Sequence, residues 1–124
     1  MPIRLKPGGI LAVTLDFERD LPEADRLTWQ CRALTVAEKM DYEAAADAAM
    51  KLPEGAKQFA AIRECIKRIA VDWNLVDESG NPLPFDDANL NEFTAAALYR
   101  FMWELPRATT MGILEKKWLP LPSA

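Results

Sequence analysis

The chain has 124 residues, a length that suits one domain. Hydrophobic residues make up 50% and charged residues 27%, which is the composition of a folded protein. There is no histidine, so this chain alone cannot build a Ser-His-Asp triad, a histidine-ligated metal site or an imidazole acid or base. The formal net charge of −4 lacks the basic excess that a phosphate backbone requires, so nucleic acid is not an expected partner.

No apolar run is long enough to span a bilayer, and the N-terminus lacks the pattern of a signal peptide. The sequence therefore predicts a cytoplasmic protein that does not associate with membranes. Cys31 and Cys65 have no C-x-x-C spacing, and we expect both to be reduced residues of the core rather than a disulfide.

Two alternating segments predict an N-terminal β-hairpin over residues 10–33. Each segment places its apolar side chains at every second position, which is typical of a half-buried strand. These side chains are Leu11, Val13, Leu15 and Phe17 in residues 10–17, and Leu27, Trp29 and Cys31 in residues 26–33. An isolated hairpin is marginally stable, so helices or another subunit must cover its apolar face.

The next segment predicts two helices. Thr35 and Glu38 have the spacing of a capping box, which predicts a helix that runs to about Lys51 and ends at Pro53. Its predicted core-facing row is Val36, Met40, Ala44 and Ala48. A second, strongly amphipathic helix is predicted over residues 55–72, with Phe59, Ile62, Ile66, Ile69 and Trp73 facing inward.

A loop over residues 74–84, with a turn at Ser79-Gly80-Asn81, is predicted to lead into a third helix. That helix is expected to begin at Asp86 or Asp87 and to end before Pro106. Its inward row is Leu90, Phe93, Ala97, Phe101 and Leu105, and its apolar arc is widened by Leu98, Tyr99, Met102 and Trp103. A short last helix over residues 108–117 carries Met111 and Leu114 in register with Trp118.

These elements define the expected fold class, which is α+β and mostly helical: an N-terminal β-hairpin packed on three to four helices. We expect one domain over residues 1–124. It is divided into a flexible N-terminus (1–9), the hairpin (10–33), the helical part (35–118) and a C-terminal tail (119–124).

Two clusters suggest chemistry, and both have a simpler explanation. Asp41, Glu43 and Asp47 are close on the first helix, but a carboxylate metal site in a helix bundle usually includes histidine, so a solvated helix face is favoured. Residues 77–81 resemble the start of a calcium loop, yet Pro82 replaces the required glycine and Ala88 the final glutamate. We predict no catalytic residue, no metal and no cofactor.

The wide apolar arc and the tryptophan content favour a partner surface instead. Trp29 and Trp73 suit the core, whereas Trp103 and Trp118 are harder to bury in a domain of this size. Aromatic residues are enriched in protein interfaces. The predicted partner-binding residues are Tyr99, Trp103, Trp118, Leu119 and Leu121.

The run from Trp73 to Leu90, WNLVDESGNPLPFDDANL, resembles a pattern of the tail assembly chaperones of long-tailed, siphophage-type phages and prophages. In that pattern a helix ends in a tryptophan, and an acidic D-x-x-G-x-P-L-P-F turn leads to the capped start of another helix. The resemblance implies a non-enzymatic chaperone without a cofactor. Such a protein coats the hydrophobic helices of the tape measure protein and keeps them soluble until tail tube protein displaces it.

Two other functions fit the same residues. The chain could be a structural virion or head–tail component that uses the same surface for permanent contacts. It could also be a hydrolase acting through Asp41, Glu43 or Asp47, which the missing histidine and catalytic motifs disfavour. The hairpin edge and the apolar arc both favour self-association, so we expect a homo-oligomer.

Overall fold

The structure is a computed structural model that describes residues 9–15, 21–22 and 26–115. In this part of the chain the fold is α+β and mostly helical, as the sequence predicts. In chain order the elements are β1 (Ile10–Thr14), β2 (Thr28–Arg32), α1 (Val36–Lys51), α2 (Ala56–Ile69), β3 (Ala70–Trp73), α3 (Asp87–Leu90) and α4 (Ala95–Glu115).

The strands form an antiparallel sheet in the order β1-β2-β3. The predicted hairpin is confirmed, with Val13 opposite Trp29. One sheet face is buried and carries the predicted side chains of both hairpin strands, while Phe17 lies outside the described residues. On the opposite face, Ala12, Gln30 and Asp72 are exposed. The sheet is therefore covered on one side, where α4 packs on β1 and β2, and α2 packs on β3.

The strand β3 corrects the prediction of a helix through Asp72. The helix α2 ends at Ile69, and the chain continues directly into β3, which pairs with β2 and sets Trp73 opposite Trp29. Pairing satisfies backbone groups of β2 that would otherwise be left at a sheet edge. Trp73 is buried as predicted, but it belongs to a strand and not to the predicted helix.

The helix α1 begins as predicted but buries a different face. The Thr35 hydroxyl accepts a hydrogen bond from the Glu38 amide, and the Glu38 carboxylate accepts one from the Thr35 amide. The predicted core-facing row is wrong, because Val36, Met40, Ala44 and Ala48 are all exposed. The buried residues are Tyr42, Ala46 and Ala49. Since α1 has alanine or another apolar residue on nearly every side, helical periodicity could not select the buried face.

The helix α2 is the central helix of the layer and packs against both α1 and α4. Its predicted inward residues Ile62, Ile66 and Ile69 are buried, and Phe59 is half-buried. The side chain of the buried Gln58 donates to the carbonyl oxygens of Ala49 (3.3 Å) and Leu52 (3.0 Å), which lie at the end of α1. Gln58 thereby satisfies backbone groups that a helix end leaves unpaired.

The C-terminal half departs from the prediction at two places. Asp86 caps α3 as expected, but the helix stops at Leu90, and α4 begins after Thr94, whose hydroxyl accepts from the Ala97 amide. The helix α4 then continues through Pro106, so the two helices predicted on either side of this proline are one. The predicted inward residues Leu90, Phe101 and Leu105 are buried.

Trp29 lies at the centre of an aromatic cluster in the core. Its ring makes edge contacts with Trp73, Phe85 and Phe101 at centroid distances of 5.5, 6.1 and 4.9 Å. The Trp73 indole N–H donates to the Leu83 carbonyl oxygen at 2.8 Å. The segment after β3 is therefore anchored to the core by the hydrogen bond from Trp73 to Leu83 and by the ring of Phe85.

The turn inside this segment is organised by Asp77. Its carboxylate accepts hydrogen bonds from the backbone amides of Ser79 (2.8 Å) and Asn81 (2.9 Å), and Gly80 adopts a positive φ of 84°. The predicted turn at Ser79-Gly80-Asn81 is confirmed, and it is closed as an Asx turn in which backbone donors occupy the Asp77 carboxylate. These hydrogen bonds, led by the one from Asn81, lower the pKa of Asp77 below its ordinary value of 3.8.

We expect Asp77→Ala to destabilise the protein at neutral pH more than at acid pH. A lowered folded-state pKa stabilises the fold above the unfolded-state value, and that stabilisation is lost as pH falls below 3.8 through the folded-state pKa. Urea unfolding at pH 7 and pH 3 measures the difference, with Glu78→Ala as the exposed control. An equal loss of stability at both pH values would contradict a role for the ionised carboxylate.

Candidate binding groove

Pro106 creates an unusual hydrogen-bonding position inside α4. A proline has no backbone N–H, so the carbonyl of Met102, four residues earlier, lacks its usual helical donor. A buried carbonyl without a donor costs free energy comparable to a lost hydrogen bond. Met102 and Leu105, which precede Pro106 on α4, are both fully buried, so water cannot easily replace the missing N–H donor.

The missing donor is replaced by Tyr42 of α1. Its hydroxyl donates to the Met102 carbonyl oxygen at 2.5 Å, across 60 residues of sequence. The side chain is almost completely buried, and burial raises the pKa of Tyr42 well above its ordinary value, so the hydroxyl stays protonated. One buried tyrosine therefore both completes the hydrogen bonding of α4 and connects this helix to α1.

A groove of about 400 Å³ lies between α1 and α4 where Tyr42 spans them. On the α4 side it is lined by Trp103, Pro106, Arg107, Thr110 and Met111, which occupy one helical stripe. Trp103 and Met111 are 45% and 50% exposed, so large apolar surface faces the groove and solvent. We call this region the α1–α4 groove.

The α1 side of the α1–α4 groove adds Lys39, Glu43 and Asp47 to Tyr42. Within the described residues, Lys39, Glu43, Asp47 and Arg107 form no ion pair. By contrast, Arg63, Lys67 and Arg100 each form an ion pair with a carboxylate. The groove thus combines exposed apolar side chains with charges of both signs that the described fold does not pair. It can supply both apolar contacts and charged hydrogen bonds to another molecule.

The predicted partner residues fall into three groups. Trp103 lines the α1–α4 groove. Tyr99 is half-buried, its hydroxyl donates to the Gln58 side-chain oxygen at 2.8 Å, and its ring lies 5.8 Å from that of Phe59, so much of this residue is used within the fold. The predicted contacts Trp118, Leu119 and Leu121 lie outside the described residues.

The carboxylates considered for catalysis are exposed on α1. Glu43 and Asp47 line the α1–α4 groove, and Asp41 does not. Among the described residues, no group of three histidine, cysteine, aspartate or glutamate side chains could hold a metal ion. All three carboxylates therefore lie on solvent-exposed faces of α1, as the sequence favours.

Both cysteines are buried and free, as predicted. Burial raises the pKa of the Cys31 thiol to about 12, an effect that a hydrogen bond with the Thr109 side chain partly offsets. Burial also raises the pKa of Cys65. Because the reactive form of a cysteine is the thiolate, both positions are chemically protected in the folded protein.

The sequence did not indicate Tyr42 or Arg107 as members of a site. Trp103, Arg107 and Met111 recur every four residues, a spacing that would have placed them together if the helix had been continued through Pro106. No local pattern could have placed Tyr42 beside Met102, because that contact joins distant parts of the chain.

Searches with protein-family models, curated proteins and solved structures found nothing that matches this chain. None of the helices in the described ranges is both long and apolar enough to cross a membrane.

We expect Tyr42→Phe to lower the free energy of unfolding by about 1–3 kcal/mol, because it leaves the Met102 carbonyl without a donor. In a Pro106→Ala background the backbone N–H at position 106 can donate to that carbonyl, so the same change should cost less. Chemical denaturation of the four proteins of this double-mutant cycle measures the coupling.

Tyr99→Phe is the matched control for this cycle, because its hydroxyl bonds Gln58 and its cost should not depend on residue 106. Equal costs of Tyr42→Phe in both backgrounds would show that the hydroxyl does not replace the missing helical donor.

The folded protein should react slowly with a thiol reagent at pH 8, because both thiols are buried and have raised pKa values. Unfolding in urea should release two rapidly reacting thiols per chain. Absorbance of the released chromophore follows both reactions. Rapid reaction of both cysteines without denaturant would contradict their described burial.

Proposed function

We propose that this protein is a non-enzymatic tail assembly chaperone that binds hydrophobic helices of a tape measure protein in the α1–α4 groove. In this role it keeps the tape measure protein soluble in the bacterial cytoplasm until tail tube protein takes its place. The proposal needs no catalytic residue and no cofactor. It joins the resemblance at Trp73–Leu90 to the exposed apolar side chains of the α1–α4 groove.

The exposure of Trp103 is the observation that carries the proposal. The rest of α4 has enough apolar surface to form the core, with Leu98, Phe101, Met102 and Leu105 buried. Trp103 adds a large side chain that the described fold leaves 45% exposed at the edge of a groove. Tryptophan is the residue type most enriched among side chains that dominate binding energy.

The dimensions of the α1–α4 groove suit a helical partner. Trp103 and Met111 are eight residues apart on α4, which corresponds to about 12 Å, or slightly more than two helical turns. An amphipathic helix presents apolar side chains at positions i, i+3, i+4 and i+7 over the same distance. Lys39, Glu43, Asp47 and Arg107 would then face the polar flanks of the bound helix.

We expect Trp103→Ala to reduce co-purification of a co-expressed tape measure fragment by about tenfold or more, because it removes the largest apolar side chain that lines the α1–α4 groove. Solubility of the fragment should fall in parallel. Val76→Ala is the matched control, since Val76 is 50% exposed and does not line the groove. Circular dichroism should show unchanged folding in both variants.

Failure of the unmodified protein to solubilise or co-purify any tape measure fragment would refute the chaperone proposal. A structural virion or head–tail component would instead be retained in purified mature particles, whereas a chaperone should be absent from them. Immunodetection of the chain in such particles separates these two roles.

A further inference from the structure

A row of apolar side chains runs along the exposed side of α1. It consists of Val36, Met40, Ala44 and Ala48, which we call the α1 ridge. Val36 and Met40 are 78% and 65% exposed, and both alanines are exposed as well. None of the four lines the α1–α4 groove, so the ridge is a separate surface.

The α1 ridge is complementary to itself in size. Its first two residues are large and its last two are small, so reversing the direction of an identical ridge places large side chains opposite small ones. In an antiparallel pair, Met40 faces Ala44 of the second copy, and Val36 faces Ala48. Rows with a spacing of four residues are the ridges that pack most often between helices in globular proteins.

The charged row beside the ridge supports the same orientation. Lys39, Glu43 and Asp47 follow one another at four-residue intervals on α1, and none has an ion-pair partner within the described residues. Reversal places Lys39 of each copy near Asp47 of the other, which gives two attractive pairs. Glu43 meets its own equivalent near the two-fold axis and contributes one repulsive pair.

We propose that the α1 ridge is the interface of a homodimer in which the two α1 helices pack antiparallel about a two-fold axis between Met40 and Ala44. Such a symmetric interface requires that both copies contribute the same residues, running in opposite directions. The proposal does not rest on the proposed chaperone function, because its apolar contact is the α1 ridge and its partner is a second copy of the chain, while the charged row of Lys39, Glu43 and Asp47 borders both the ridge and the groove.

A single pair of helices buries less than the ~1,200 Å² of a standard stable interface. The dimer should therefore dissociate on dilution. Analytical ultracentrifugation over a range of concentrations should show an average mass that rises from the 13.9 kDa of one chain toward twice that value. A single species of 13.9 kDa at the highest concentrations would overturn the proposal.

Three variants locate the interface. The double change Ala44→Glu with Ala48→Glu places charges on the α1 ridge and should leave a folded monomer, because both positions are exposed and glutamate favours helix. Trp103→Ala should leave dimerisation unchanged. Glu43→Gln should strengthen the dimer by removing the repulsive pair. A dimer that survives both glutamates would overturn the assignment.

Disulfide trapping tests the direction and register without depending on a destabilised variant. A mixture of Met40→Cys and Ala44→Cys proteins should form a covalent heterodimer under mild oxidation faster than either variant forms a homodimer. The native cysteines are buried and should not compete. Preferential linkage of Met40→Cys to itself would indicate a parallel pair and overturn the antiparallel one. Loss of tape measure binding by Trp103→Ala with the disulfide still formed would separate the two surfaces.

Discussion

The hydrogen bond from Tyr42 to the Met102 carbonyl is the buried polar contact that ties α1 directly to α4 in the helical layer. Pro106 removes the donor that an uninterrupted helix would provide, and the tyrosine of another helix supplies it. Because both groups are buried, neither can exchange this bond for water at low cost. The consequence is a direct link between α1 and α4, both of which also pack against α2, and the α1–α4 groove lies between these two helices.

Local signals in the sequence predicted local structure well. The capping box at Thr35, the alternation of the hairpin strands and the Asp77 turn all appear as expected, because each depends on residues a few positions apart. The predictions failed where a distant group decides the outcome. Pro106 did not end its helix because Tyr42 compensates for it, and residues 70–73 left their helix because β2 offers a pairing edge.

The candidate surfaces show the same division. The exposure of Trp103 agrees with the expectation from composition, since a tryptophan beyond the needs of a small core is visible in the sequence. The row from Val36 to Ala48 was also recognised as one helix face, but it was predicted to face the core and is exposed instead. Helical periodicity identifies which side chains share a face, and only packing decides whether that face is inside. The role of Tyr42 was not predicted, because its hydrogen bond to the Met102 carbonyl exists only when α4 lies beside α1.

The junction between Ile69 and Ala70 joins a helix to a strand without a loop. A loop absorbs added or lost residues, and this junction has none. One residue inserted into α2 would rotate the preceding helix by about 100° relative to β3, and one inserted into β3 would turn Trp73 toward the opposite face of the sheet. Length variation in this protein should therefore fall outside this segment, for example in residues 53–55, while the 14 residues of α2 and the four of β3 behave as a segment of fixed length.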